Sequence, residues 1–347
     1  MFIADREQAF SQNVPERKSI EPLWLNALRR KILGRISNIH QPASKPDIFM
    51  FSSPRSGSTL VLEIMASEPG MKTIDEPLSI NDPVKRRELG VSSWEDATIL
   101  QDRELKYGRY FSKLIRNELT EFNSTFFQKD GRFLTNRNFF KIIHGGEDML
   151  RWFEEEFDAL ILILIRHPIS VSLSHHKLPR LPYLLDSRCA LFRHLTKQQM
   201  NFSKQLFEEG DIFELAILDW YLQNYLLTRK DIPESWTRIS YEEIVLNPQS
   251  TFRYLRECLK LDALNDYDAH LKKPSKTVVH SDTGYRTSTA IESGSAESRK
   301  FLVERWKKKV SNEQKTRTFQ ILQEFGINYY SEDSVLPAPE FRVADVI

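Results

Sequence analysis

From Asp47 onward the chain alternates short apolar runs with stretches of helical period. Ile48–Phe51 (IFMF) is unbroken by polar residues, which suits a strand covered on both faces. SSPRSGST follows it, and LVLEIMAS continues with the spacing of a helix. Met71–Ile74 predicts a second strand ending at Asp75-Glu76-Pro77, and Phe139–Ile143 a third ending at His144. Ala159–Ile165, seven apolar residues in a row, suits a central strand covered on both faces, ending at Arg166. Pro168 can open a helix there. Glu214–Arg229 reads as a helix and Trp236–Ile244 as a further strand. Strands alternating with helices predict an α/β fold with a mostly parallel central sheet flanked by helices.

Residues 1–45 read as an N-terminal helical arm. Within it Glu21–Ile39 carries Leu23, Leu25, Leu28, Ile32, Leu33 and Ile36 at helical spacing, interrupted by Arg29, Arg30, Lys31 and Arg35. Such a helix either rests on a membrane surface or packs across the domain's flank, and the second is the plainer expectation. Gln41–Pro46 breaks it. Residues 46–330 read as one domain, with Pro83–Arg132 and Lys177–Asp211 as helical lid insertions. The tail, 331–347, is expected to be loosely packed or to dock as a strand.

Composition narrows the function. The chain has 347 residues, with 49 Lys and Arg against 48 Asp and Glu, a net charge of +1. That balance speaks against a dedicated nucleic-acid binder, which needs a surplus of basic residues. Forty per cent hydrophobic content, rich in Phe, builds a core and excludes general disorder. The longest apolar run is far short of the roughly 20 residues a membrane-spanning helix needs. The opening MFIADREQAF places charges where a signal peptide needs an apolar stretch. Two cysteines make neither a disulfide framework nor a cysteine-rich zinc site. These features predict a cytoplasmic protein.

Two segments carry chemistry. Ser52–Thr59, between a strand and a helix, aims backbone N–H groups, the Ser58 and Thr59 hydroxyls and the Arg55 guanidinium at one point, which favours an anion over a simple helix cap. It lacks the first glycine and the lysine of a Walker A loop, and no G-x-G-x-x-G occurs. Phosphoryl-transfer enzymes end a later strand in a metal-binding Asp, whereas here Arg166 stands in that place, so no metal is expected. Ser174, eight residues on, can return to the same side. His167, His175 and His176 are expected to be solvated or hydrogen-bonded rather than metal ligands, since adjacent helical residues point about 100° apart.

PRSGST after one strand and RHPISVSLS after another resemble the two nucleotide-binding signatures of sulfotransferases that use 3′-phosphoadenosine 5′-phosphosulfate (PAPS). The resemblance implies a P-loop-like loop holding the 5′-phosphosulfate with Arg55, Ser56, Gly57, Ser58 and Thr59, and a 3′-phosphate held by Arg166 and Ser174. Ser240–Pro248 (SYEEIVLNP) resembles the family's Tyr-Glu-Asp segment, with Glu243 for the second acid, and implies nucleotide contact by Tyr241. HSDTGYR, with Gly284 and Arg286, resembles its C-terminal nucleotide loop, and RWKKKVS its last Trp-containing helix. The likeness spans about residues 47–325. The cytosolic branch has Lys and Trp where Arg55 and Leu60 stand, and its Lys-Thr-His is one residue shorter than Lys141–His144. Those departures lean the resemblance to the bacterial and carbohydrate-type branches, and carbohydrate-type members place Glu-Pro after the second strand, as Glu76-Pro77 does here.

Sulfuryl transfer needs an in-line acceptor, charge stabilisation on the bridging oxygen and a base. Arg55 and the loop amides suit the second need, and Glu76 the third, unless it merely caps a turn. His144 is the rival base, Asp75 reads as a capping or orienting residue, and Lys141 points either at the site or outward. The resemblance implies transfer from PAPS to a hydroxyl, with an amine as second choice, of a small molecule or sugar, leaving 3′,5′-adenosine bisphosphate (PAP). An ATP-dependent kinase and an inactive PAP-binding protein are the rival readings.

Overall fold

The computed structural model describes residues 23–124, 131–175, 177–264, 267–272 and 294–343. Five strands form one sheet: β1 (Ile48–Ser52), β2 (Met71–Asp75), β3 (Arg137–Ile142), β4 (Leu160–Ile165) and β5 (Thr237–Ser240). Their order is β2-β3-β1-β4-β5, and every neighbouring pair is parallel. The α/β fold read from the sequence is the fold observed. Parallel strands bring their carboxyl ends to one edge, where doubly wound folds bind ligands.

Every residue of β1 is buried, which explains why its sequence shows no alternation. Phe49 and Phe51 face one core, where Phe49 stacks on Phe140 with ring centroids 4.4 Å apart. Ile48 and Met50 face the other, against Val61, Ile64 and Met65 of helix α2 (Ser58–Met65). Helix α1 (Leu23–Ser37) lies against the turn Thr120–Phe122. Between β2 and β3 stand α3 (Pro83–Leu89), α4 (Trp94–Thr98) and α5 (Arg103–Ile115). After β4 comes the short α7 (Pro168–Ser172), preceded by α6 (Leu150–Phe157). Helix α8 (Ile212–Asn224) is buried from Leu215 to its end, and α9 (Tyr241–Leu246) follows β5 directly.

Three expectations need correction. The strand reading of Trp236–Ile244 ends at Ser240, because a reciprocal capping box between Ser240 and Glu243 starts a helix at Tyr241. The tail makes no strand among its described residues; it turns through Pro339–Phe341 and buries Phe341 and Val343, whose N–H donates to Glu243 at 2.7 Å. His167 is neither solvated nor hydrogen-bonded through its ring. It is fully buried, both ring nitrogens lack partners, and it stacks on Trp306 at 4.4 Å.

Candidate active site

The chain leaves β1 at Ser52 and enters α2 at Ser58 through a loop with two left-handed residues, Arg55 (φ 66°) and Gly57 (φ 88°). A Cβ at Gly57 would lie 2.4 Å from the Tyr241 ring, so only glycine fits there. No side chain caps α2, which leaves amides of its first turn for a ligand. Ser53 and Ser56, both buried, share a 2.8 Å hydroxyl contact that braces the loop from within.

Arg166, just past the end of β4, reaches across to this loop. Its Nη1 donates to the Arg55 carbonyl at 3.0 Å, and its guanidinium lies 4.1 Å from the centre of the Tyr241 ring. Its Nε is buried without a partner. Trp220 Nε1 donates to the Arg166 carbonyl at 3.0 Å and so steadies the strand end from below. The pKa of Arg55 is lowered by desolvation and then by the Arg166 charge. Arg305 is lowered by burial and then by Arg166 and Arg55, although Tyr241 acts the other way. Guanidinium groups that depress one another's charge form a place where an anion lowers the energy.

The second half of the site sits at the ends of β2 and β3. Lys141 lies opposite Asp75 in register, and its side chain, 3 % exposed, points into the site rather than outward. Its Nζ is 2.8 Å from Asp75 Oδ1 and 3.0 Å from Glu76 Oε1, and it donates to Thr59 Oγ1 at 3.2 Å. Burial opposes the Lys141 charge, but Glu76 and Asp75 more than offset it and raise the pKa. Glu76 adopts φ 48°, an uncommon conformation for a residue with a side chain. Its N–H donates to the Lys141 carbonyl at 3.0 Å, extending the ladder one residue past β2. Lys85 of α3 donates to the carbonyls of both Asp75 (2.8 Å) and Glu76 (2.7 Å). The structure thus joins Glu76, Lys141 and Thr59, with the half-exposed Asp75 carboxylate paired to the same ammonium.

A model of the sulfotransferase family matches residues 46–266. The chain belongs to the sulfotransferase family. Two solved structures resemble it at a TM-score of 0.42. One is the sulfotransferase domain from the curacin biosynthetic pathway, 18 % identical, covering 81 % of this chain and 97 % of that one. The other is the sulfotransferase domain from the Synechococcus PCC 7002 olefin synthase, 17 % identical over 85 % of this chain and 98 % of that one. Mouse sulfotransferase SULT7A1 complexed with PAP is 16 % identical at a TM-score of 0.37, covering 85 % and 88 %. No curated protein matches the chain.

In this sulfotransferase-family chain the other expected site residues lie as follows. His144 stands two residues beyond β3, its ring edge-to-face on Trp94 at 5.1 Å. Its Nδ1 is buried without a partner, and burial, then Arg180, His175 and Lys141, hold its pKa well below the ordinary histidine value. It lines a narrow pocket with Leu78, Leu89, Trp94, Tyr107 and Arg180, whose charge is taken by Glu147 at 2.6 Å. Ser174 lies beyond the end of α7, with its hydroxyl turned back to the Ser170 (3.2 Å) and Val171 (3.0 Å) carbonyls. His175 faces Asp219 at 3.3 Å. Gly284, Arg286 and His176 lie outside the described residues.

Sequence reasoning missed Lys85 and Glu242. Glu242 is buried beneath Arg166 and accepts from the His167 N–H (3.1 Å) and Tyr330 hydroxyl (2.8 Å). Burial raises its pKa to about 7, against the opposing pull of Arg166 and these donors. The pair of acids after Tyr241 was visible, but nothing in it showed which one would be sealed under an arginine.

Proposed function

We propose that the protein transfers the sulfuryl group of PAPS to a hydroxyl of a small molecule or sugar. The observation that carries this is the convergence of Arg166, Arg55 and the uncapped start of α2 at one point, with the Glu76–Lys141 pair at the neighbouring strand ends. The loop residues Ser56, Gly57, Ser58 and Thr59 would hold the 5′-phosphosulfate. Arg166, with Tyr241 behind it, and Ser174 would hold the 3′-phosphate, and Gly284 and Arg286 belong to the same proposal.

The donor supplies an activated sulfuryl group. The acceptor oxygen forms a bond to sulfur as the bond from sulfur to the phosphate oxygen breaks, and PAP leaves. Glu76 takes the acceptor's proton as that oxygen loses electron density, since its carboxylate is held ready by Lys141. Arg55, Lys141 and the α2 amides face the charge that develops on the departing phosphate oxygen.

The test pairs binding with turnover. PAP at ~100 times its dissociation constant should stabilise the protein by about 2.7 kcal/mol in a thermal melt. ATP with Mg²⁺ should do much less, and PAPS with an acceptor mixture should yield a product heavier by one sulfuryl group. Equal stabilisation by ATP would point to a kinase instead. PAP binding without any consumption of PAPS would leave a nucleotide-binding protein.

A further inference from the structure

Helix α1 is packed the opposite way from an ordinary amphipathic helix. Gly34 and Ser37 are on its buried side. A Cβ at Gly34 would sit 1.8 Å from the Thr120 carbonyl oxygen, so the glycine permits backbone contact there. The Thr120 hydroxyl donates to the Lys31 carbonyl at 2.9 Å, and Asn123 Nδ2 to the Gly34 carbonyl at 3.3 Å. The helix is therefore held to the domain by its small residues and main chain.

The large apolar residues face out. Leu25, Leu28, Ile32 and Ile36 are 40 %, 47 %, 50 % and 67 % exposed. At about 100° per residue they fall within one narrow arc opposite Gly34. The stripe continues past the helix end: Ile39 is exposed, and its ladder partner Leu134 and the adjacent Phe133 are exposed too. These seven residues are most of the large exposed hydrophobic side chains among the described residues. Contiguous exposed apolar surface on this scale marks an interaction site.

Charge selects the partner. Over Leu23–Ser37 there are four basic residues and no acidic one. Arg30, on the face away from the stripe, is also exposed and pairs with Asp82 at 3.3 Å. Arg29 flanks the stripe on one side, Lys31 and Arg35 on the other, and all three are exposed. An apolar stripe bordered on both sides by basic residues matches an anionic lipid surface, where acyl chains receive the leucines and headgroup phosphates the arginines. A second copy of the same helix would bring like charges together along both borders. We infer that α1 seats this protein on anionic membranes, lying in the plane of the headgroups. No described helix is long and apolar enough to cross a membrane, so the association is peripheral.

The test is co-sedimentation of the full chain with vesicles of phosphatidylcholine alone and with phosphatidylserine added. The protein should bind the anionic vesicles roughly tenfold or more better than the neutral ones, and added salt should weaken the binding. Ile32→Asp with Ile36→Asp should reduce it by at least roughly tenfold, since apolar burial is lost and negative charge gained. Arg29→Gln with Arg35→Gln should remove most of the preference for phosphatidylserine. PAP-induced thermal stabilisation, measured alongside, shows that the variants keep their fold. No binding to anionic vesicles, or binding that both double variants retain, would overturn the inference. A concentration-dependent dimer that Ile32→Asp dissolves, with no vesicle binding, would assign the stripe to a second copy instead.

Discussion

The Glu76 carboxylate lies 3.0 Å from the Lys141 ammonium, and Glu76 reaches it from a left-handed backbone. For a residue with a side chain that conformation costs on the order of 1–2 kcal/mol. The cost is offset by the ladder bond to the Lys141 carbonyl and by the Lys85 donations from α3. The proposed base is thus held by main-chain contacts on two sides and by one cation.

Glu76→Gln keeps the shape and the Lys141 contact but cannot accept a proton. Turnover should fall roughly 10²–10⁴-fold, the usual worth of a general base, with PAP affinity nearly unchanged. His144→Ala is the comparison. If it abolishes turnover while Glu76→Gln keeps most of it, the base is His144. Single-turnover kinetics with isothermal titration of PAP separates the two.

Lys85→Met should lower turnover several-fold without weakening PAP, because it frees the carbonyls that hold the Glu76 turn. Lys85→Arg, which can still donate to both, should recover much of the loss. A fall in kcat with little change in KM identifies a positioning role, whereas equal loss of PAP binding would place Lys85 in general stability.

Arg166→Ala removes the guanidinium that spans Tyr241 and the Arg55 carbonyl. PAP binding should weaken by roughly 2–5 kcal/mol, the range for a desolvated charged pair. Adenosine 5′-phosphosulfate, which lacks the 3′-phosphate, should lose far less. Parent-like PAP affinity in this variant would detach Arg166 from the 3′-phosphate.

Glu242 predicts an unusual pH response. Its carboxyl titrates near 7 in the folded protein, against an ordinary value of 4.5. The folded state therefore holds more protons between those values, so this group's contribution is full below 4.5 and is lost as pH rises to about 7. The loss is on the order of 3 kcal/mol. Glu242→Gln should flatten that part of the stability profile in urea titrations at successive pH values. A profile identical to the parent's would show that the carboxyl is not buried as described.

His167 acts in the opposite sense. Burial first, then Arg166 and Lys307, hold its pKa at about 3, below the ordinary 6.5. Stability from the neutral ring is present above 6.5 and declines as pH falls toward 3. His167→Phe should keep the stack on Trp306 and melt at a higher temperature than the parent at pH 5.

The strands were legible because β1 and β4 are buried on both faces and so consist of unbroken apolar runs. The β5 reading ran too far because it passed over the Ser240–Glu243 cap, which starts a helix at Tyr241. Arg55 and Arg166 were named from their places after strands and Glu76 from a strand end, whereas Lys141 came from the family likeness alone; the sheet sets Arg166 against the Arg55 carbonyl and Lys141 against Thr59 and Glu76. Which way Lys141 pointed was not legible, since alternation allows both directions and the choice rests on Asp75 opposite. Lys85 was hidden because it bonds carbonyl groups, which leave no trace in a side-chain pattern. In α1 the apolar spacing was plain, but spacing alone does not say which face meets the domain, and a glycine with a serine took the inner side.

Arg55 and Arg166 stand 111 residues apart in the chain, yet β1 and β4 are neighbours in the sheet. Their meeting point comes into being only when that long crossover has closed, and parallel pairing of distant segments is among the slower events in folding. A fragment ending before Ala159 would contain the whole β1–α2 loop but lack β4 and Arg166, leaving β1 with an open edge. An anion bridging the two arginines would therefore leave the early steps of folding untouched. It would act afterwards, by slowing the separation of β4 from β1, so that bound ligand shows itself as resistance to unfolding rather than as faster folding.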